Sequence, residues 1–352
     1  MSAQTINRTP INRTSQEEGL APAVTGERGQ AALPDLLGLF GATVIVSIFA
    51  AGAFASWLPL QVSIVTVFLF AGPHNWFELR YFLTRLPVRF GRSRDFFVTA
   101  FAGVGVLTLA YVSLPFIYSA RLWSDEAWST MIAGWNTALL AWVGLLIWLR
   151  SKQKRRVNWT WTIPAGLALC SLNWLGPDFF SLALVYIHPL IALWFLDRHL
   201  RRTRPAWLRV YRRCLCLLPF VLAIMIWQLS QTSSLPDSNG LFWRITQHSG
   251  AEMLPQVSSH MLVSVHLFLE MLHYAVWIVA LPLIGGFVKT IPVARHPRGF
   301  PRVIGGLMIA ALAAVVVLWF GFSIDYSTTR DIYFTVAMAH VLAEAPFLLR
   351  ML

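Results

Sequence analysis

Within a long apolar run, His266, Glu270 and His273 place two imidazoles and a carboxylate at positions i, i+4 and i+7. On an α-helix those positions share one face. Neutral nitrogen and anionic oxygen offered from one face are donors that iron, manganese and zinc accept. Three further stretches carry the same chemistry. Gly72-Pro73-His74-Asn75-Trp76-Phe77-Glu78 sets His74 and Glu78 one turn apart, Tyr186-Ile187-His188-Pro189 holds His188, and His340 with Glu344 repeats the i, i+4 pair near the C-terminus. Glu270-Met271-Leu272-His273 is also Glu-x-x-His, a spacing that di-iron carboxylate bundles use in pairs and that occurs here singly.

The runs that carry these residues are long enough to cross a bilayer. The chain has 352 residues, 57% of them hydrophobic and only 12% charged, against roughly 25% charged in soluble domains. That balance, with 16 Trp and 24 Phe, is the composition of an integral membrane protein with interfacial aromatic anchors. Each ionisable group at membrane depth costs about 2.5–3.5 kcal/mol on insertion scales. A shared metal ion offsets such a cost, and so do purely structural hydrogen bonds between helices.

Ten apolar spans suit a hydrocarbon core of ~30 Å: 36–57, 59–84, 95–118, 128–149, 159–175, 179–197, 214–231, 258–286, 303–322 and 331–350. The expected fold is therefore an all-α, polytopic membrane helical bundle over residues 36–352. Asn173, Gly176, Pro177 and Asp178 interrupt the fifth and sixth spans, which are either two helices or one re-entrant hairpin. Residues 1–35 lack an apolar run and are expected to form a disordered cytoplasmic tail. With no cleavable leader ahead of it, the first span is expected to stay as an anchor.

Most of the 28 basic residues fall in loops 85–94, 150–156, 198–213 and 287–302, whereas the alternate loops hold only Arg121, Arg244 and Arg330. By the positive-inside rule both termini are cytoplasmic and loop 232–257 is external. The formal charge of +12 thus serves topology and anionic head groups, and no nucleic-acid role follows from it. Cys170, Cys214 and Cys216 lack the second pair that a zinc or iron–sulfur site needs and read as small buried hydrophobes.

Other polar residues have plainer readings. His248 and His260 are expected at the outer interface, and His199 and His296 in basic cytoplasmic loops. Asp325, Tyr326, Arg330 and Asp331 form either a salt-bridged cap or an entrance gate. Asn173 and Asp178 are expected to satisfy backbone at the broken helix.

The order of the motifs resembles that of the bacterial membrane β-carotene dioxygenases of the Brp/Blh type. The correspondence is Pro73-His74-x-x-x-Glu78, then Ile187-His188, then His266 with His273, then His340 with Glu344. Glu78 stands where that family has Asp, and His266 and His273 are seven residues apart rather than close together. The resemblance implies a histidine-bound non-haem iron that activates O2 beside a lipid-soluble substrate such as a carotenoid.

The expected function is a membrane-embedded metal oxygenase or oxidoreductase. Its candidate ligands are His74, Glu78, His188, His266, Glu270, His273, His340 and Glu344, around one or two iron ions, with zinc or manganese as alternatives. Some of the glutamates would instead orient the imidazoles. The partners implied are a hydrophobic substrate from the bilayer, O2, membrane lipids and an electron-donor protein, and the expected location is a bacterial cytoplasmic membrane. Competing readings are a transporter or channel that relays protons or moves a metal ion, a haem electron carrier, and a non-catalytic scaffold. No Ser or Cys is paired with a base, so covalent hydrolytic chemistry is not indicated.

Overall fold

Prolines mark where one helix ends and the next begins. A computed structural model describes residues 33–86, 91–119, 124–153, 158–236, 240–285 and 300–351. Pro59, Pro177 and Pro205 each occupy the first position of a helix, where the missing N–H costs nothing and φ is already helical. The helices they open are α2 (Pro59–Arg85), α6 (Pro177–Thr203) and α7 (Pro205–Leu215). The others are α1 (Leu33–Trp57), α3 (Arg94–Ser119), α4 (Asp125–Gln153), α5 (Thr162–Leu175), α8 (Leu217–Leu229) and α9 (Gly240–His248). After them come α10 (Ser259–Tyr274), α11 (Leu281–Gly285), α12 (Phe300–Ile324) and α13 (Tyr326–Met351). A wider π-type turn over Ala275–Ala280 joins α10 to α11 into one continuous rod.

No strand occurs among the described residues, as an all-α bundle requires. Among the described residues, eight helical segments are long and apolar enough to cross a membrane. Two of the ten sequence spans fall outside that set, for different reasons. Helix α5 has 14 residues, about 21 Å of rise, which is short of a ~30 Å core. Helix α2 has 27 residues, but Gln61, Ser63, Pro73, His74, Asn75 and Glu78 dilute its apolar surface. The fifth and sixth spans are two helices, broken at Gly176.

Some boundaries move. Residues 198–213, read from their charge as a loop, are mostly helical. They hold the end of α6 and most of α7, on which Tyr211 is buried while Arg209, Arg212 and Arg213 face outward, an amphipathic period that a charge count conceals. His199 is accordingly buried at the end of α6 rather than in a loop, its ring 5.9 Å from that of Tyr81. Cys214 is buried, but Cys170 is only partly so and Cys216 is exposed, which limits the buried-hydrophobe reading to Cys214. The expected tail falls outside the described residues except for positions 33–35, and so does His296.

Helix α10 is the axis of the bundle and packs against α1, α2, α6, α8 and α9. In its rod 61% of the most apolar window is buried, against at most 39% in the other crossing helices. Outward-facing Leu109, Phe116, Ile309 and Phe320 remain exposed, the surface that lipid would cover.

Indole N–H groups stitch the outer helices to their neighbours. On α4, Trp135 and Trp142 donate to the carbonyls of Leu107 and Thr99 on α3, both at 3.0 Å. Between α2 and α12, Trp76 donates to Met308 at 3.1 Å and Trp319 to Phe68 at 2.8 Å. Asn173 joins α5 to α4, donating to Ala133 O at 2.8 Å and accepting from Asn136 at 2.9 Å. It therefore binds two helices together instead of satisfying the backbone at Gly176.

Candidate metal centre

Four helices, α2, α6, α10 and α13, bring His and Glu side chains together, near mid-length in α2, α6 and α13 and at the C-terminal end of α10. His74 and Glu78 come from α2, His188 from α6, His273 from α10, and His340 and Glu344 from α13. Each contributing helix is irregular beside its site residues. Pro73 precedes His74, Pro189 follows His188, Pro346 stands two residues after Glu344, and the π-type turn starts two residues after His273. Within a helix, proline frees a carbonyl one turn back, and π turns recur at functional sites because they re-aim side chains.

The four imidazoles form a closed quadrilateral. Going round it, ring centroids are 5.3 Å apart for His74 and His273, 4.7 Å for His273 and His188, 5.2 Å for His188 and His340, and 5.2 Å for His340 and His74. The His273–His340 diagonal is 6.4 Å. With His74 and His188 on its flanks, that gap leaves no slot for a porphyrin plane.

Two overlapping donor sets result. His74, Glu78, His273 and His340 offer ligand atoms all within 4.8 Å of one another, and so do His188, His273 and Glu344. The Nε2 atoms of His340 and His188 face each other at 3.3 Å. At metal–nitrogen bonds of about 2.1 Å, neighbouring ligands stand roughly 3.0–3.4 Å apart, so this separation suits two ligands of one ion.

Hydrogen bonding also fits a metal. Nδ1 of His74 lies 3.0 Å from the Phe70 carbonyl, which can only accept, so Nδ1 carries the proton and Nε2 presents its lone pair to the centre. Metal-bound histidines are typically held this way by their other nitrogen. Nδ1 of His188 sits 3.2 Å from Glu344 Oε2, an ion-pair contact in which neither atom makes a hydrogen bond. Both oxygens of Glu78 and of Glu344, both nitrogens of His273, and Nδ1 of His188 and of His340 are buried without a hydrogen-bond partner. Buried polar atoms left unmet cost about 1–3 kcal/mol each, and a cation in the quadrilateral would satisfy them together.

His266 and Glu270 do not join this set. They share the buried stripe of α10 with His273, but seven residues of helix place His266 about 10 Å from it along the axis. Ligands of one ion lie within about 4 Å of each other. Oε1 of Glu270 instead accepts a 2.6 Å hydrogen bond from Tyr274, whose ring packs 4.4 Å from that of His74. The ring of His266 lies 5.1 Å from that of His248 and 5.5 Å from that of Tyr186.

A second, smaller polar cluster is built there. His248, His266, Glu270, Arg330 and Ser63 line a cavity of about 10 Å3, near the minimum for one water. His248 thus turns inward from the outer segment. Arg330 is 4% exposed, with its guanidinium 4.6 Å over Phe334, and Asp331 pairs with Arg244. Of the expected outer cap, Asp331 is therefore salt-bridged while Arg330 is interior. The signal for Arg330 was present in the sequence, as an arginine one turn before Phe334 in an apolar helix. His260 donates from Nε2 to Ser56 O at 2.9 Å.

No protein-family model, curated protein or solved structure matches the chain. The likeness to membrane carotene dioxygenases therefore rests on the order of the motifs.

Proposed function

We propose that this chain is a membrane-embedded non-haem metal protein, an oxygenase or related oxidoreductase acting on a lipid-soluble substrate of the carotenoid or polyisoprenoid class. The observation that carries the reading is the convergence of six His and Glu residues from four helices, with ligand atoms that find no partner in the protein. His74, Glu78, His273 and His340 would hold the ion. His188 and Glu344 would complete the set or hold a second ion around the shared His273.

Iron is the proposed metal, since a mixture of imidazole and carboxylate donors suits it, and when bound it supplies redox chemistry with O2. Two carboxylates, Glu78 and Glu344, would leave a divalent cation close to neutral inside the bundle, which lowers its desolvation cost. The Phe70 carbonyl orients His74, and Glu344 lies in ion-pair contact with His188. The aromatic wall of Tyr81, Phe82, Phe195 and Trp277 excludes water from one side of the centre. The substrate would reach it sideways from lipid, in a bacterial cytoplasmic membrane with both termini inside, and an electron-donor protein would complete the cycle.

The test is elemental analysis of the detergent-purified protein with an optical spectrum of the same sample. One or two irons per chain without a haem band is the expected result, followed by turnover of carotenoids or other polyisoprenoids that His273→Ala abolishes. A metal-free protein overturns the reading. That outcome would favour an intramembrane proton relay or ion translocation, for which His248, His266, Glu270 and Tyr274 provide a run of polar groups leading away from the quadrilateral.

A further inference from the structure

A groove of about 260 Å3 opens between α1, α6, α7 and the α10–α11 rod. Its walls are apolar, with Leu39, Val44, Leu196, Val276 and Leu283 among them. Along α1 the lining runs from Leu36 to Ile48, about 18 Å at 1.5 Å per residue. That is close to the depth of one leaflet, half of a ~30 Å core.

One end of the groove is marked by charge. Arg204, between α6 and α7, lines it together with Trp207, and its guanidinium lies 4.7 Å over the Trp207 ring. Neighbouring arginines are committed elsewhere. Arg202 donates to Met351 O at 2.9 Å, and Arg212 makes two bonds to Asp197, at 2.7 and 3.0 Å. Among the described residues no carboxylate pairs with Arg204. Tryptophan and arginine together belong to the interfacial level of a membrane. The exposed Arg209 and Arg213 of α7 add positive potential there, which draws anionic lipid.

We propose that this groove is a binding site for an anionic phospholipid, with its phosphate at Arg204 and one acyl chain lying along α1. The shape supplies the chain's length, and the unpaired guanidinium selects the head group. Because the groove shares no residue with the His/Glu quadrilateral, the site holds whether or not a metal occupies that centre.

The experiment is native mass spectrometry of the full, delipidated chain given equal concentrations of phosphatidylglycerol and phosphatidylcholine with identical acyl chains. Phosphatidylglycerol adducts are expected to predominate. Arg204→Gln should lower them about fivefold, the worth of one basic residue beside an anionic surface, and leave phosphatidylcholine adducts unchanged. Arg204→Lys should retain most of the preference. Thr43→Phe, which narrows the groove, should lower retention of both lipids, while Arg209→Gln, outside the lining, should lower phosphatidylglycerol adducts less than Arg204→Gln does and leave phosphatidylcholine adducts unchanged. Thermal melts of each variant identify any that are misfolded. Equal retention of the two lipids by the wild type overturns the proposal, as does a phosphatidylglycerol preference that survives Arg204→Gln or falls as far in Arg209→Gln.

Discussion

Four imidazoles and two carboxylates packed into an apolar interior each forgo water, and what replaces it differs from one side chain to the next. His74 has an acceptor at Nδ1 and His188 has only an ion-pair contact there, whereas His273 has a hydrogen-bond partner at neither nitrogen. His273 also belongs to both donor sets, so His273→Ala should empty the centre of metal while the chain still inserts and folds. His266→Ala, about two turns away along the same stripe, should leave metal content unchanged. Elemental analysis of the two purified variants separates them, and equal metal in wild type and His273→Ala would sink the site as drawn. Tyr274→Phe tests the adjoining support. Loss of its 2.6 Å bond leaves Glu270 Oε1 buried and unpaired, so stability should fall by about 1–3 kcal/mol, read as a lower melting temperature. Spacing alone identified all three residues of the α10 stripe, but it reports which face a residue occupies and not its depth. His74 and Glu78, one turn apart, meet in one donor set, whereas His340 and Glu344, equally spaced, fall in different ones. The wider span from His266 to His273 exceeds the reach of a single ion.

Helices in this chain were legible wherever apolar length was the signal, and less so where polar residues served packing. The weak apolarity of α2 comes partly from His74 and Glu78, the residues it brings to the His/Glu cluster. The indole seams were not readable from sequence, because a tryptophan that donates to a neighbouring helix looks the same as one that faces lipid. These seams need close approach between backbones. A Cβ added at Gly103 of α3 would fall on the indole of Trp142, whereas one added at Gly144 of α4 would meet open space. Replacing a helical glycine with alanine ordinarily gains about 1 kcal/mol. At Gly103 the displaced indole should cost more, since overpacking carries about 1–3 kcal/mol and the bond to Thr99 O is lost as well. Gly103→Ala should therefore lower the melting temperature in detergent and Gly144→Ala should not, with metal content unchanged in both.

At the scale of the whole molecule, the distribution of charge and the length of α5 pull in different directions. Stretches 150–156 and 198–213 are both rich in basic residues, which places them on the same side of the membrane. The chain between them is α5 and α6, and the same-side placement requires both to cross or neither. Helix α6, with 27 residues, spans about 40 Å, but α5 is short by roughly 9 Å of hydrocarbon. Mismatch of this kind costs fractions of a kcal/mol per Å and is met by local thinning of the bilayer or by flanking residues that reach the interface. Placing seven arginines on the outer face would violate a stronger rule, so α5 and α6 should cross together as a thin hairpin. Single cysteines introduced at Lys152, Arg201 and Ser234, in a chain whose Cys170, Cys214 and Cys216 are replaced, make the comparison direct. A membrane-impermeant maleimide should label Ser234→Cys in intact cells and reach Lys152→Cys and Arg201→Cys only in inside-out vesicles. If Lys152→Cys and Arg201→Cys label from opposite faces, α5 does not cross. The chain then has an odd number of crossings between those two stretches, and the assignment of both termini to the cytoplasm fails with it.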